Sequence, residues 1–137
     1  MDDAEARERF ASARVAVLAT VDDGGAPHAV PVVFALAGDT LWTATDAKAK
    51  RGAALRRHAN IRARPRVTLL AQHWDEDWSA LWWVRADGLA VVTDDPPAVA
   101  RAVRALRAKY AQYRSVDVGA PVIEVTIETW HGWHASS

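Results

Sequence analysis

Short hydrophobic runs, each closed by glycine, proline or aspartate, recur along the first third of the chain. Residues 15–21 form a β-rich run that stops at residues 22–25, two aspartates and two glycines that tolerate the backbone of a tight hairpin turn. The pattern predicts a returning strand over residues 27–36, a turn at residues 38–39 and a third strand over residues 40–45. These three strands are expected to pair as an antiparallel meander.

Three further strands are predicted in the rest of the chain. They cover residues 66–73, 81–92 and 122–129. The last of them alternates Ile123, Val125 and Ile127 with polar residues, as a half-buried strand does. Gly88 predicts a bend within the strand before it.

Helical segments are predicted at three places. They cover residues 3–13, residues 49–58 and a segment that begins at Pro96. Asp94 or Asp95 followed by two prolines marks a helix start, because proline at the first position loses no hydrogen bond within the helix. The apolar face predicted for this last helix consists of Val99, Val103, Leu106, Tyr110 and Tyr113.

The order of these elements favours a barrel. Most connections between successive strands are too short for the crossovers that parallel strands need. No linker, repeat or low-complexity tract divides the 137 residues, so a single domain over residues 1–137 is predicted. The predicted fold is mainly β: a six-stranded antiparallel barrel with about three helices.

Composition excludes several classes of function. Lys plus Arg (17) equals Asp plus Glu (17), and the zero formal charge argues against a surface that binds nucleic acid or an anionic membrane. The absence of cysteine excludes disulfides, thiolate metal sites and thiol nucleophiles. The acidic start has no apolar segment of a signal peptide, and no run is long enough for a membrane helix, which predicts a cytoplasmic protein.

The sequence also lacks the common catalytic signatures. It contains no Gly-x-Gly-x-x-Gly, no phosphate-binding loop of the Gly-x-x-x-x-Gly-Lys type and no Gly-x-Ser-x-Gly. Of the five histidines, only His131 and His134 are close in sequence, and a three-residue offset on a strand places them on opposite faces. We therefore expect no metal site.

Cationic residues are concentrated in one segment. No acidic residue lies between Asp46 and Asp75, and a strand-to-helix junction with this charge suits a phosphate or carboxylate group. Lys48 and Lys50, with Arg51 beside them, directly follow the hydroxyl groups of Thr43 and Thr45, and we expect these residues to bind an anion. The alternative is a solvated helix face. The cations of this segment are Lys48, Lys50, Arg51, Arg56, Arg57, Arg62, Arg64 and Arg66.

Tryptophan is the other unusual feature. The chain has seven, and four of them lie within residues 74–83. Adjacent Trp82 and Trp83 on a strand face opposite ways, so one is free to enter the barrel while the other covers an outer surface. Such a surface favours a flat ligand ring or a dimer partner, and packing within the core is the alternative.

Taken together, these motifs resemble the split β-barrel flavin and deazaflavin oxidoreductases, the superfamily of pyridoxamine 5'-phosphate oxidase-like proteins with an FMN-binding split barrel. The segment around residues 77–88 is similar to the branch assigned to the deazaflavin coenzyme F420. The resemblance covers about residues 5–134. It is carried by residues 17–21, 23–28, 30–34, 48–51, 55–57, 60–62, 65–67 and 77–88.

This resemblance implies a homodimer with one cofactor in each of two sites between the subunits. The cofactor phosphate would lie at Thr43, Thr45, Lys48 and Lys50. The ring system would lie beside Val30, Pro31 and Val32, and Trp82 or Trp83 would come from the partner. The reaction implied is F420-dependent hydride transfer to an electron-poor, flat, apolar small molecule.

Other functions stay open on sequence grounds. FMN in the same barrel is the nearest alternative, followed by a non-catalytic protein that binds a cofactor or haem. Nucleic-acid binding through the cations of residues 48–66 is disfavoured by the zero net charge. Pyridoxamine phosphate is not expected as substrate, because the segment 130–134 lacks the arginine that the oxidases proper carry near the C-terminus.

Overall fold

The structure of the protein, a computed structural model, describes residues 1–46 and 53–136. Lys48, Lys50 and Arg51 therefore lie outside the described residues. The helices are α1 (Asp3–Ser12), α2 (Ala53–Ala63) and α3 (Pro96–Lys109). The strands are β1 (Ala16–Val21), β2 (Pro27–Val32), β3 (Ala35–Ala37), β4 (Thr40–Asp46), β5 (Arg66–His73), β6 (Trp82–Thr93) and β7 (Val118–His134). Two short 3-10 turns cover Trp78–Ala80 and Ala111–Arg114.

The strands form one antiparallel sheet whose two edges meet. The order is β2-β1-β5-β6-β7-β4-β3, so β2 and β3 occupy opposite edges although Val33 and Phe34 alone separate them in sequence. Three residue steps span at most about 10 Å, which forces the sheet to curl until its edges are close. The fold is the predicted mainly-β split barrel with three helices.

The predicted number of strands was wrong: the described sheet has seven, not six. The strand expected over residues 27–36 breaks at Val33 and Phe34. The Phe34 side chain is fully buried, and its backbone N–H donates to the Tyr110 hydroxyl at 3.2 Å. The Val33 carbonyl accepts the Thr43 hydroxyl at 2.7 Å. Both residues thus exchange strand pairing for side-chain partners, which lets the chain cross from one sheet edge to the other.

Helix α1 closes one end of the barrel. The Asp2 carboxylate accepts the Glu5 backbone N–H at 2.8 Å and caps the helix. Phe10 points inward, 4.9 Å from the ring of Phe34 and 5.6 Å edge-on from Trp130. The main core continues between the strands through Leu18, Leu69, Val84 and Val125, all fully buried.

Helix α3 packs on the outside of β3, β4 and β7 over a second apolar cluster. All five residues predicted for its apolar face pack in this cluster, but Leu106 alone among them is fully buried, and Ala98 and Ala102 are buried beside it. Small alanines let the helix approach the sheet, and Val99 and Val103 flank them half-buried. The helix ends at Lys109, so Tyr110 and Tyr113 lie beyond it.

Strands β6 and β7 form the longest ladder in the sheet. The register shifts between Asp87 and Gly88, where the bend was predicted. Strand β7 extends well past residues 122–129, because its first half pairs with β4 and its last residues pair with β6 as far as His134. Within the described ranges, no helix has both the length and the apolar character that crossing a membrane requires.

Candidate functional site

A cleft opens beside the crossing between β2 and β3. It consists of two adjoining cavities of about 190 and 200 Å³ that share Val33 and Tyr113. We call it the Arg57 cleft. The first cavity is lined by Pro31, Val32, Val33, Thr43, Ala44, Thr45, Arg57 and Tyr113. The second is lined by Val33, Tyr110, Gln112, Tyr113 and Val116.

Arg57 gives the first cavity its charge. The side chain projects from α2 and is half-buried, and its Nε atom has no hydrogen-bond partner among the described residues. Burial lowers the pKa of the guanidinium, yet arginine remains ionised in proteins. A buried donor on a cation costs free energy unless a ligand satisfies it. The cavity is therefore suited to an anion.

The two threonines of β4 play different parts. Both line the cavity, and the register of β4 against β7 shifts between Ala44 and Asp46. Thr43 is fully buried, and its hydroxyl proton is used by the Val33 carbonyl, so this residue fixes the crossing that forms the cavity wall. Thr45 is half-buried and lines the cavity.

The end of α3 closes the other side of the cleft. The Tyr110 hydroxyl accepts from Phe34 N–H at 3.2 Å and donates to the Arg14 carbonyl at 2.9 Å. The Arg14 guanidinium lies 4.7 Å from the centre of the Tyr110 ring. Lys109 donates from Nζ to the Ala13 carbonyl at 2.7 Å and lies 3.7 Å from the centre of the Phe34 ring. These contacts tie α3 to the end of α1 and to the crossing.

The lowered pKa of Lys109 predicts that the free energy of unfolding rises as the pH becomes alkaline. Burial, together with the nearby Arg14 charge, lowers the pKa of Lys109 from 10.5 to about 8. The unfolded chain keeps this proton up to its ordinary pKa, so between these values it binds more protons than the folded protein, and stability rises with pH. After discounting for partial exposure, the free energy of unfolding is expected to increase by about 1 kcal/mol between pH 7 and 9.5.

Denaturant titrations across this pH range check the prediction, with Lys109→Met as the comparison. The variant should show no such rise. Burial raises the pKa of Tyr110, which opposes the effect at still higher pH, so the measurement stops at 9.5. A wild-type stability that is flat or falls over this interval would contradict the assignment.

The outer face of the sheet beside the cleft is apolar. Val17 is directly opposite Pro31 on β2 and Leu70 on β5. Ala19 is opposite Ala29 in the next row. Val17 is 37% exposed, and Pro31 is exposed as well as lining the cleft. One apolar surface therefore runs from the cleft wall across three strands.

The model of the pyridoxamine 5'-phosphate oxidase family matches residues 2–134. The chain belongs to this family. No curated protein matches the sequence.

Solved structures with the same fold bind different groups. One is a conserved hypothetical protein from Mycobacterium tuberculosis, with a TM-score of 0.75 and 23% identity over 98% of this chain and 85% of the other. An FAD-binding protein from Mesorhizobium loti has a TM-score of 0.75 and 21% identity over 99% and 96%. The haem storage protein HutZ from Vibrio cholerae has a TM-score of 0.68 and 14% identity over 96% and 90%. At these identities the likeness shows the fold.

The structure brings part of the predicted site together. Pro31, Val32, Thr43 and Thr45 all line the Arg57 cleft of this pyridoxamine 5'-phosphate oxidase family member. Val30 instead packs against the main core. Trp82 and Trp83 line a separate cleft at the start of β6. Within one chain they therefore do not meet the predicted phosphate site.

Seven of the described lining residues were not predicted as site residues, and three of them, Arg57, Tyr110 and Tyr113, give the cleft its charge and its aromatic surface. Arg57 is one of eight cations in residues 48–66, and nothing in the sequence distinguishes it from the others. The spacing of Lys48 and Lys50 indicated those two residues instead. Tyr110 and Tyr113 matched a helical apolar face, although they follow the helix and line the cleft. Residue spacing alone does not show that the helix ends before these two tyrosines.

Two histidines that could supply a proton, His28 and His73, are not part of the described cleft lining. His28 on β2 has a buried Nδ1 without a partner among the described residues. His73 stacks on Trp82 with ring centres 6.3 Å apart. The part of the chain that the structure describes holds no group of His, Asp or Glu side chains able to bind a metal ion.

Proposed function

We propose that the Arg57 cleft binds a flavin-type redox cofactor and that the protein uses it for hydride transfer. F420 is the leading cofactor, FMN is the alternative, and the acceptor is an electron-poor, flat, apolar organic molecule. The observation that carries the proposal is the Arg57 Nε, buried without a partner among the described residues, in a cleft that also has aromatic walls.

The cleft offers a different chemistry at each end. Arg57 and Thr45 suit the phosphate that F420 and FMN both carry, because a guanidinium forms charge-assisted hydrogen bonds with phosphate oxygens. Lys48, Lys50 and Arg51 follow Thr45 closely in sequence and are proposed to add to this charge. Tyr110 and Tyr113 supply aromatic surface at the opposite end. An elongated ligand with one anionic end and one flat end fits this pattern.

When bound, such a cofactor supplies the hydride donor. The protein's own contribution is to hold the phosphate at Arg57, to exclude water and to position the acceptor. Reduction of the acceptor consumes one hydride and one proton, and solvent is the proposed proton source, because His28 and His73 are not part of the described cleft lining. We therefore assign no side chain of the cleft as a general acid.

A homodimer is part of the proposal. Pro31 belongs both to the cleft wall and to the apolar outer face with Val17 and Leu70, so a second copy packed on this face would also enclose the cleft. Trp83 of the partner subunit is the better candidate to cover the ring, because Trp82 is held between His73 and the Arg9 guanidinium. Trp83 is 36% exposed.

Non-catalytic haem binding is the second candidate, since solved structures of this fold include a haem storage protein. Protein haem sites usually supply an axial histidine, cysteine, methionine or tyrosine. The chain has no cysteine, and the described lining of the Arg57 cleft contains no histidine or methionine. Tyrosine is the one axial ligand type that the described lining offers, as Tyr110 and Tyr113, and the hydroxyl of Tyr110 is already bonded on both sides. The lining therefore favours a flavin-type cofactor.

Titration of the purified protein with F420, FMN and haem tests the proposal. Quenching of tryptophan fluorescence should show F420 binding with a Kd of tens of micromolar or lower, and Lys50→Ala should weaken it. Tighter binding of FMN would select the alternative cofactor. If F420 and FMN both fail to bind while haem gives a Soret band, the redox proposal is wrong.

A further inference from the structure

A second cleft lies beside the first residues of β6. Its cavity of about 340 Å³ is lined by the indoles of Trp74, Trp82, Trp83 and Trp133 together with His73. We call it the tryptophan cleft. It shares no described lining residue with the Arg57 cleft of the same chain, and of its four indoles the proposed dimer uses only that of Trp83.

Its rim carries an unusual amount of exposed aromatic surface. Trp74 is 64% exposed, and Trp78, which meets it edge-on with ring centres 6.2 Å apart, is 66% exposed. Trp133 is 47% exposed and lies directly opposite Trp83 on the neighbouring strand. Large apolar rings left in water at a concave surface mark a ligand or interaction site.

The inner wall is rigid and already holds a cation. The Trp82 ring stacks on His73 with an interplanar angle of 19°. The Arg9 guanidinium lies 5.8 Å from the Trp82 ring centre and is held there by an ion pair with Glu5 at 3.1 Å. An indole face attracts a positive charge through its quadrupole, and here the molecule itself uses that attraction.

Carboxylates directly follow the lining residue Trp74. Asp75, Glu76 and Asp77 lie between Trp74 and Trp78 in sequence, and the Asp75 Oδ2 atom is 3.7 Å from Nε2 of His73, which lines the cleft. Hydrogen bonds from the Ser79 side chain and backbone lower the pKa of Asp77, which keeps it ionised.

The two arginines near the cleft are both paired. Arg9 is paired with Glu5, and Arg85 is paired with Asp87 at 3.2 Å. The local field therefore favours a cation and repels the phosphate-bearing ligands that suit Arg57.

We propose that the tryptophan cleft binds a small organic cation of the alkylammonium class. The positive group lies against the exposed indoles of Trp74 and Trp133, which leaves Trp83 to the proposed dimer, and the carboxylates that follow Trp74 supply the complementary charge. Trimethylammonium groups are bound in proteins by aromatic surroundings of this kind.

The test compares choline with its uncharged isostere 3,3-dimethylbutan-1-ol on the full chain. Proton NMR titration should show the choline methyl signal shifting upfield as the indoles shield it. Choline should bind about threefold to thirtyfold more tightly than the alcohol, the range expected of cation–π attraction. Equal binding of choline and the alcohol would indicate an apolar surface, such as an interface with a second copy of the chain, and would overturn the proposal. The absence of any choline shift would overturn it as well.

Two sets of variants locate the effect. Trp133→Ala should abolish the shift, with circular dichroism confirming that the variant is folded. The double variant Asp75→Asn with Glu76→Gln removes two negative charges. It should weaken choline binding severalfold and leave binding of the alcohol unchanged. Asp94→Asn with Asp117→Asn removes the same charge far from the cleft and is the matched control. Equal loss in both double variants, or none in either, would contradict a site at the tryptophans.

Discussion

Replacing Arg57 by alanine is expected to weaken binding of the phosphate-bearing cofactor by about tenfold to a hundredfold, the loss of one charge-assisted hydrogen bond from a partly buried cation. The same change should leave the free energy of unfolding unchanged or higher. The reason is that the folded protein buries the Arg57 Nε without a partner among the described residues, so removing the guanidinium relieves a cost.

This opposite response of binding and stability distinguishes a ligand-binding arginine from a structural one. Arg62→Ala removes an exposed cation from the same helix and should change neither quantity measurably. Arg57→Lys should restore part of the affinity, because it keeps the charge but loses the planar pair of donors. If Arg57→Ala unfolds the protein or leaves the Kd unchanged, Arg57 does not hold the ligand.

Gly88→Ala is expected to be the most destabilising small substitution in the described sheet. A Cβ at this position would meet the Thr126 carbonyl group, with its carbon at 2.9 Å, and would lie 3.0 Å from Ile127 Cα. These are backbone atoms of a paired strand at the register shift, so no side chain can rotate away. We expect a loss of about 3 kcal/mol and a fall in Tm of about 10 °C.

Thermal and denaturant unfolding measure this loss, and Gly119→Ala is the matched control. Gly119 also lies on β7, where an added Cβ meets nothing within 4 Å. The free energy of unfolding of Gly119→Ala should differ from that of the wild type by less than about 0.5 kcal/mol. Equal effects of the two substitutions would show that the close approach of β6 and β7 at Gly88 is not what the protein depends on.

Local patterns were sufficient for most elements of this fold. The aspartate and proline before α3, the turn at residues 22–25 and the alternation in β7 act over a few residues, and each predicted its element. The break at Val33 and Phe34 could not be predicted in this way. It depends on the hydroxyls of Tyr110 and Thr43, which are 76 and 10 residues away from their backbone partners.

The candidate site was predictable to a similar extent. Pro31, Val32, Thr43 and Thr45 line one cleft and are residues that the family resemblance assigned to one cofactor, although β2 and β4 do not pair in the described sheet as the predicted meander required. Arg57 was hidden among neighbouring cations because the direction and burial of a side chain depend on how α2 packs against the sheet. The aromatic end of the cleft required knowing where α3 stops, and Tyr110 continues the helical spacing beyond that point.

The binding of a phosphate-bearing redox cofactor at Arg57 is tested most directly by comparing each cofactor with its phosphate-free counterpart. FMN against riboflavin, and F420 against its deazaflavin ring compound without the phosphate, should each differ in Kd by at least about tenfold in the wild-type protein. In Arg57→Ala the difference should largely disappear. Equal affinities for the phosphate-bearing and phosphate-free forms in the wild type would contradict the account.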